Sequence, residues 1–318
     1  MTQEKNLIQE DRKVSLLDLP EWALDCILEY LSPLDLCKVA QVCSCLRNRS
    51  KNDYLWEKQV NQRWGELLGD IAYHEWQWHT AKMVNEEILL LHQNQSGSCG
   101  TFTGVWPSLH LHSYLENFRD MISLLRNCPK MSLFIALETG QFWFPAQVYK
   151  KALSCYDALI SYDSRNDTFK ARSPSNGWRI RGDVEWDMLR IPPPQTFLSD
   201  YYKPNYINNL KPGDYVEVQK RRRKEYPYDW WFAIIGHLES CDEDMNHCHC
   251  QYSETLVVEL ILYALGSRWR RSMLHRNLYE EQGSRICWFG GIRKLNEEEI
   301  EKWNNILLSR QDPPQYWM

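Results

Sequence analysis

The sequence lacks any apolar run approaching the ~20 residues that a membrane-spanning helix needs. Its first residues, MTQEKNLIQEDRK, are polar and carry none of the apolar stretch of a secretory signal. These two absences predict a protein of the nucleus or cytosol, or both. No Gly-rich phosphate loop, no G-x-S-x-G elbow and no H-E-x-x-H pair occurs, so no catalytic framework is on offer and no cofactor is implied. Positive charge is not in excess. The formal net charge is -5, which argues against bulk nucleic-acid affinity while leaving room for a local basic patch. Paired cysteines at finger-like spacing are also missing. The 11 Cys are odd in number and scattered, and in a reducing compartment they read as free thiols, many of them small buried hydrophobes.

What is present suffices for a real core. The 318 residues are 43% hydrophobic, enough for two domains or one large domain with an appended module. The 15 Trp and 17 Tyr favour packed sheets and recognition surfaces over a disordered chain.

The most informative stretch is LDLPEWALDCILEYLSPLDLCKVAQVCSCLRNRSKNDYLW, from Leu17 to Trp56. Pro20 suits the first turn of a helix and Glu21 complements its N-terminus. Leu24, Ile27, Leu28 and Leu31 follow at helical spacing. Ser32 and Pro33 stop that helix and start another, with Asp35 in the capping-box position. Leu36, Val39, Ala40 and Cys43 form its face. Val42, Leu46 and Ser50 suggest a third short helix, and Asn52-Asp53 a further cap before Leu55 and Trp56. So short a module is too small for a self-sufficient core and has apolar residues to spare, which predicts burial against a partner.

Leu19-Pro20, Ile27-Leu28-x-x-Leu31-Ser32-Pro33-x-Asp35-Leu36, Val42-Cys43-x-x-Leu46 and Leu55-Trp56 together resemble the F-box in order and spacing. One departure is Cys45-Leu46-Arg47, where many F-boxes carry a Trp. The resemblance implies binding to the Skp adaptor, and through it to the cullin and RING protein of a ubiquitin ligase. By position it assigns the Skp-facing role to Leu19, Pro20, Ile27, Leu28, Leu31, Pro33, Leu36, Val42, Cys43 and Leu46, with Trp56 closing the motif. Some of these belong to the module's own core, and the sequence does not sort them.

Residues 1–13 read as a tail, 14–60 as the F-box, 61–130 as a helical connector, 131–310 as a β-rich domain and 311–318 as a second tail. Within the connector, 114–125 has helical spacing, and Cys128-Pro129 is expected to end that helix. After Met131 come short runs rich in aromatic and β-branched residues: SLFIALE, FWFPAQVY, CYDALISYD, TFKARS, DYVEVQK, WWFAIIGHLES, TLVVELILYA and SRWRR. Each reads as a strand. Asp163–Asp167 is a hairpin turn. Ile191-Pro192-Pro193-Pro194 is a stiff break, and 297–308 a closing helix. The fold class is therefore α+β, a helical N-terminal module followed by a mostly antiparallel β domain of sandwich or small-barrel type. TGQFWFPAQVY, SYDSRNDTFKAR, LKPGDYVEVQ, YPYDWWFAIIGHLESCD, GSRWR and GGIRKL resemble the C-terminal region of a family of plant F-box proteins, so the resemblance spans nearly the whole chain.

Three constellations outside the F-box invite a function. Cys241, His247, Cys248, His249 and Cys250 are metal-type residues, but Cys248 and Cys250 are one residue apart and no second pair follows, so a flexible acidic loop without metal is expected. Lys220-Arg221-Arg222-Arg223-Lys224 reads as a solvated loop, compatible with an import signal. Arg221, Arg222 and Arg223 beside Tyr226, Tyr228 and Trp230 offer a surface for a target protein. Tyr215, Tyr228, Trp230, Trp231 and Phe232 could instead wall an aromatic cage for a methylated side chain. Phe142–Val148 and Asp229–Ile235 echo each other in the manner of a Tudor/Agenet barrel.

The function expected is that of a non-catalytic substrate receptor, docking on Skp and presenting an unidentified protein for ubiquitination. The rivals are a reader of modified histone tails or nucleic acid that carries an F-box, and an enzyme acting on a small molecule.

Overall fold

The computed structural model describes residues 15–90, 126–173, 179–192, 209–221, 228–241, 248–276 and 289–309. The chain divides into two compact units, residues 1–63 with 103–136 and residues 64–102 with 137–318. That division runs through the stretch 61–130 expected as a connector.

In the first unit, α1 (Glu21–Glu29), α2 (Pro33–Val39) and α3 (Ser44–Ser50) are short, and α4 (Asp53–Trp64) follows them. The starts of α2 and α3 are built by side chains satisfying backbone N–H groups. Ser32 Oγ accepts from the N–H of Asp35, and Cys43 Sγ from that of Leu46. Leu24, Leu28, Leu36, Cys37, Ala40, Leu46, Leu55, Trp56 and Val60 are buried. The Trp56 indole donates to the Ser50 carbonyl at 2.8 Å and packs at 5.3 Å on Phe134 of α6.

That last helix, Pro129–Glu138, is numbered after α5 (Asp70–Leu90). It corrects the strand expected at SLFIALE and the stop expected at Pro129, which begins a helix. A continuous apolar run fits a buried strand or a buried helix equally well. Here Met131–Leu137 are all buried, and Pro129 occupies a first-turn position where its missing N–H costs nothing. The helix expected at 114–125 lies outside the described residues.

The second unit is built on one antiparallel sheet, which agrees with the expected α+β class. The first meander contains β1 (Phe144–Lys150), β2 (Ser154–Asp163), β3 (Thr168–Arg172), β4 (Ile180–Val184) and β5 (Leu189–Arg190). The second contains β6 (Tyr215–Lys220), β7 (Asp229–Gly236), β8 (Thr255–Leu260), β9 (Arg271–His275) and β10 (Phe289–Lys294). A short β2–β7 pairing, Ser154 with Trp231 and Cys155 with Trp230, joins the meanders. The two echoing segments are β1 and β7, in different meanders of this single sheet. The SRWRR strand begins only at Arg271, because Ser267–Arg270 closes a turn.

Gly140 ends α6 with φ of 66°, a region costly for other residues, and a Cβ there would collide with the Tyr162 carbonyl. Trp64 packs edge-on against Phe144, Tyr162 and Phe169, filling the first meander.

Both faces of β6 and β7 are covered. Val216, Val218, Trp231, Ala233, Ile235 and Val258 share one buried cluster. Trp230 and Phe232, pointing the other way by strand alternation, join Tyr149, Leu153, Leu295, Trp303 and Ile306. Trp303 and Ile306 come from α7 (Glu297–Leu308), opened by a capping box between Asn296 and Glu299. Glu217 also points to this second face and is fully buried. Arg190 grips both its oxygens, at 2.7 and 2.9 Å, Arg293 Nε donates at 2.9 Å and the Trp303 indole at 2.6 Å. The cations hold the Glu217 carboxyl at about 2 against the opposing push of burial.

Candidate functional site

The helical module separates the residues assigned to Skp binding into two sets. Leu28, Leu36, Leu46 and Trp56 are buried in its own core, and their removal from the contact set is a correction to the assignment by motif position. Pro20, Ile27 and Val42 are exposed, while Leu19, Leu31, Pro33 and Cys43 are half-buried. The division follows helix geometry. Leu24 and Leu28 lie four apart on the inward stripe of α1, and Ile27 lies 100° round from Leu28. Ile27 is 40% exposed and Leu28 is 3% exposed.

The structure adds apolar residues that motif matching missed. Leu16, Leu17, Trp22, Tyr30 and Leu34 are exposed alongside Ile27 and Val42. Trp22 in α1 and Tyr30 at its C-cap, eight residues apart, flank the exposed Cys26, and this outward stripe was the available signal. Polar contacts brace the helices around these residues without covering them. Arg49 bridges Asp25 at 3.0 Å and Glu21 at 2.8 Å. Lys58 Nζ and Gln59 Nε2 donate to the carbonyls of Glu29 and Leu31, tying α4 to the end of α1. Lys38 pairs with Asp35, which Lys38 and Ser32 together hold below the usual carboxylate range.

The residues assigned to target binding fare differently. Trp230 is 1% exposed and packed beneath α7, so it cannot meet a partner, and the assignment is corrected. Trp231 and Phe232 are buried as well. Phe232 stacks at 5.3 Å on Trp303 and at 5.8 Å on Tyr215. These rings are occupied by one another and do not form an aromatic cage. Alternation correctly separates Trp230 from Trp231, but it does not reveal that the sheet is covered on both sides. Arg221 and Tyr228 flank the β6–β7 connection, with the guanidinium 4.0 Å over the Tyr228 ring. Arg222, Arg223 and Tyr226 lie outside the described residues. Exposed apolar side chains also occur along the β8–β9 edge, at Tyr252, Leu265, Trp269 and Met273, none of which the sequence singled out.

Where the sequence predicted an acidic loop without metal, the described residues of the connection between β7 and β8 bring metal-type side chains together. Cys241, Cys248 and Cys250 converge, and the imidazole that meets them is His237. His249 is exposed, and His247 lies outside the described residues. His237 was overlooked because it belongs by pattern to the preceding strand.

Comparison with known proteins is consistent with this architecture. The F-box-like family matches residues 16–68, the whole of the short-helix module. The F-box protein At2g26850 of Arabidopsis thaliana is 42% identical over 313 residues, covering 92% of this chain and 82% of its own length. The F-box protein At2g41170 of the same plant is 39% identical over 335 residues, covering 97% of this chain and 88% of its own. Because both likenesses extend far beyond the helical module and through the sheet, this chain belongs to the family of plant F-box proteins.

Proposed function

We propose that this protein is the substrate-recognition subunit of a Skp–cullin–RING ubiquitin ligase. An F-box indicates binding to a Skp-type adaptor in general, and F-box proteins are in general non-catalytic adaptors. The observation that carries the proposal is the set of apolar side chains left in solvent on the helical module while its core is closed. Trp22 is 71% exposed and Val42 72%, against 0% for Leu36. So many large apolar groups left in solvent on one small module mark a docking surface.

In this role the sheet unit selects the target. The surface around Arg221, Arg222, Arg223, Tyr226 and Tyr228 is the proposed contact, since Arg beside Tyr combines bidentate hydrogen bonding, cation–π attraction and apolar area. Holding a target near a ubiquitin-charged enzyme raises its effective concentration, so the receptor needs no chemistry of its own. The ligase would act in the nucleus or cytosol.

The test is copurification from cells of the full chain with Skp and cullin, for the wild type and for the double variant Ile27→Asp, Val42→Asp. The wild type should bring down both. The variant should lose both while its sheet unit stays folded by circular dichroism. Undiminished capture by the variant refutes the docking surface.

A further inference from the structure

We propose that His237, Cys241, Cys248 and Cys250 are the ligands of a tetrahedral zinc ion that fastens the end of β7 to the start of β8. Their four ligand atoms lie within 4.8 Å of one another. His237 Nδ1 is 3.4 Å from Cys241 Sγ, 3.5 Å from Cys248 Sγ and 3.9 Å from Cys250 Sγ. Zinc bound to sulfur at ~2.3 Å and to nitrogen at ~2.0–2.1 Å sets tetrahedral N···S edges of ~3.6 Å. The observed separations bracket that edge, so the side chains need only small adjustments to close on an ion.

The donor set selects the metal. Three sulfurs and an imidazole suit zinc, whereas magnesium and calcium require oxygen ligands. Four protein ligands complete the coordination shell and leave no position for a reacting water, which makes the site structural. Coordination through Nδ1 puts the imidazole proton on Nε2. Binding forms three Zn–S bonds and one Zn–N bond and releases three thiol protons to the buffer, with nothing oxidised or reduced.

The fold supplies the reason for a metal here. The β7–β8 ladder ends at Gly236 paired with Val257, and His237 is the next residue. Cys250 opens a 3-10 turn, Cys250–Tyr252, that leads into β8. Among the described residues of the connection between them, Glu239, Ser240, His249 and Tyr252 are exposed. Segments without a core of their own are commonly held by a metal or a disulfide. Two further contacts orient the ligands. The Leu238 N–H donates to Cys250 Sγ at 3.3 Å, and Arg271 Nη2 on β9 donates to the His237 carbonyl at 3.0 Å. The spacing H-x3-C-x6-C-x-C lacks the usual paired cysteines, and only the return of the connection onto the end of β7 brings the set together.

The full chain, freed of any affinity tag and purified under reducing conditions without chelator, is analysed by elemental mass spectrometry. About one zinc per chain is expected, with about a tenth of that or less in the double variant Cys248→Ser, Cys250→Ser and in His237→Ala. His237→Cys should keep its zinc, because four thiolates also close the tetrahedron. Should the Ser variant fail to fold, cobalt(II) exchanged into the wild type reads the ligands directly, and the bands of tetrahedral thiolate-bound cobalt support the site. Three outcomes overturn it: zinc retained by the folded double variant; neither zinc nor a thiolate–cobalt spectrum in the reduced wild type; or a disulfide between two of the three thiols in a metal-free protein. The outcome is independent of Skp binding.

Discussion

The helical unit and the sheet unit treat their surplus side chains in opposite ways. The first closes a small apolar core and leaves Trp22, Ile27 and Val42 in water. The second buries both faces of β7 and also encloses Glu217, Arg190 and Arg293. Size explains part of the difference, since a module of some fifty residues cannot turn every apolar group inward. Purpose explains the rest. Exposed apolar area can be used by a partner, whereas a buried ion cluster serves only the fold that contains it.

The sharpest way to break the comparison is to remove Glu217. Arg190 would then lose its only carboxylate partner among the described residues and Arg293 would keep only Glu299, so Glu217→Ala should cost about 3–5 kcal/mol. Urea denaturation followed by Trp fluorescence measures it. A cost below 1 kcal/mol would mean that the cluster is incidental to the sheet.

The same group sets an acid dependence for the sheet. Its carboxyl sits at about 2 rather than the ordinary 4.5, so the folded state favours the ionised form. The unfolded chain therefore takes up the proton first as pH falls. The stabilisation, roughly 3 kcal/mol, is complete above about pH 4.5 and is lost progressively as pH drops toward about 2. Urea midpoints of wild type and Glu217→Gln should converge as pH drops through that window. A gap that stays constant between about pH 5 and pH 3 excludes the linkage.

On the helical unit, binding and stability should separate. Ile27→Asp with Val42→Asp should weaken Skp binding by about 2 kcal/mol or more, a shift read by isothermal titration. Folding stability should change by only about 0.5 kcal/mol per exposed site. Leu28→Ala, one residue from Ile27, should do the reverse and cost about 2–5 kcal/mol of stability by opening a cavity. Equal effects from the two neighbours would erase the distinction between core and surface on α1.

A smaller effect is expected at the start of α2. Ser32→Ala removes the acceptor for the Asp35 N–H and should destabilise the helical unit by about 1 kcal/mol. Smallest of all in stability is charge reversal at Arg221, Arg222 and Arg223, which should leave folding within about 0.5 kcal/mol and Skp binding intact. Its effect should appear in the proteins found by proximity labelling. An unchanged set of partners and an unchanged location would move the target surface elsewhere, with the β8–β9 edge the next place to look.

The helix carrying Leu24, Ile27 and Leu28, the Ser32-Pro33 break and the F-box wording were legible in the sequence, because helix periods and caps are local, although the helix ends at Glu29, before Leu31. So were the Asp163–Asp167 turn and the closing helix with Trp303 on its inward face. Illegible were the helix at Pro129–Glu138, the burial of Trp230 and the place of Glu217. A strand pattern states which residues share a face but not what covers that face.

By itself, the sequence determined the short helices of the N-terminal module, their order and most strands of the sheet, since each follows from spacing, capping and turn chemistry within a few residues. Tertiary structure alone decided which of two adjacent residues, Ile27 or Leu28, faces solvent, and that Trp230 and Trp231 are both enclosed. It also decided that His237 joins Cys241, Cys248 and Cys250. The reason is common to all three. Burial and convergence depend on packing between segments distant in the chain, and a local period carries no record of what packs against it.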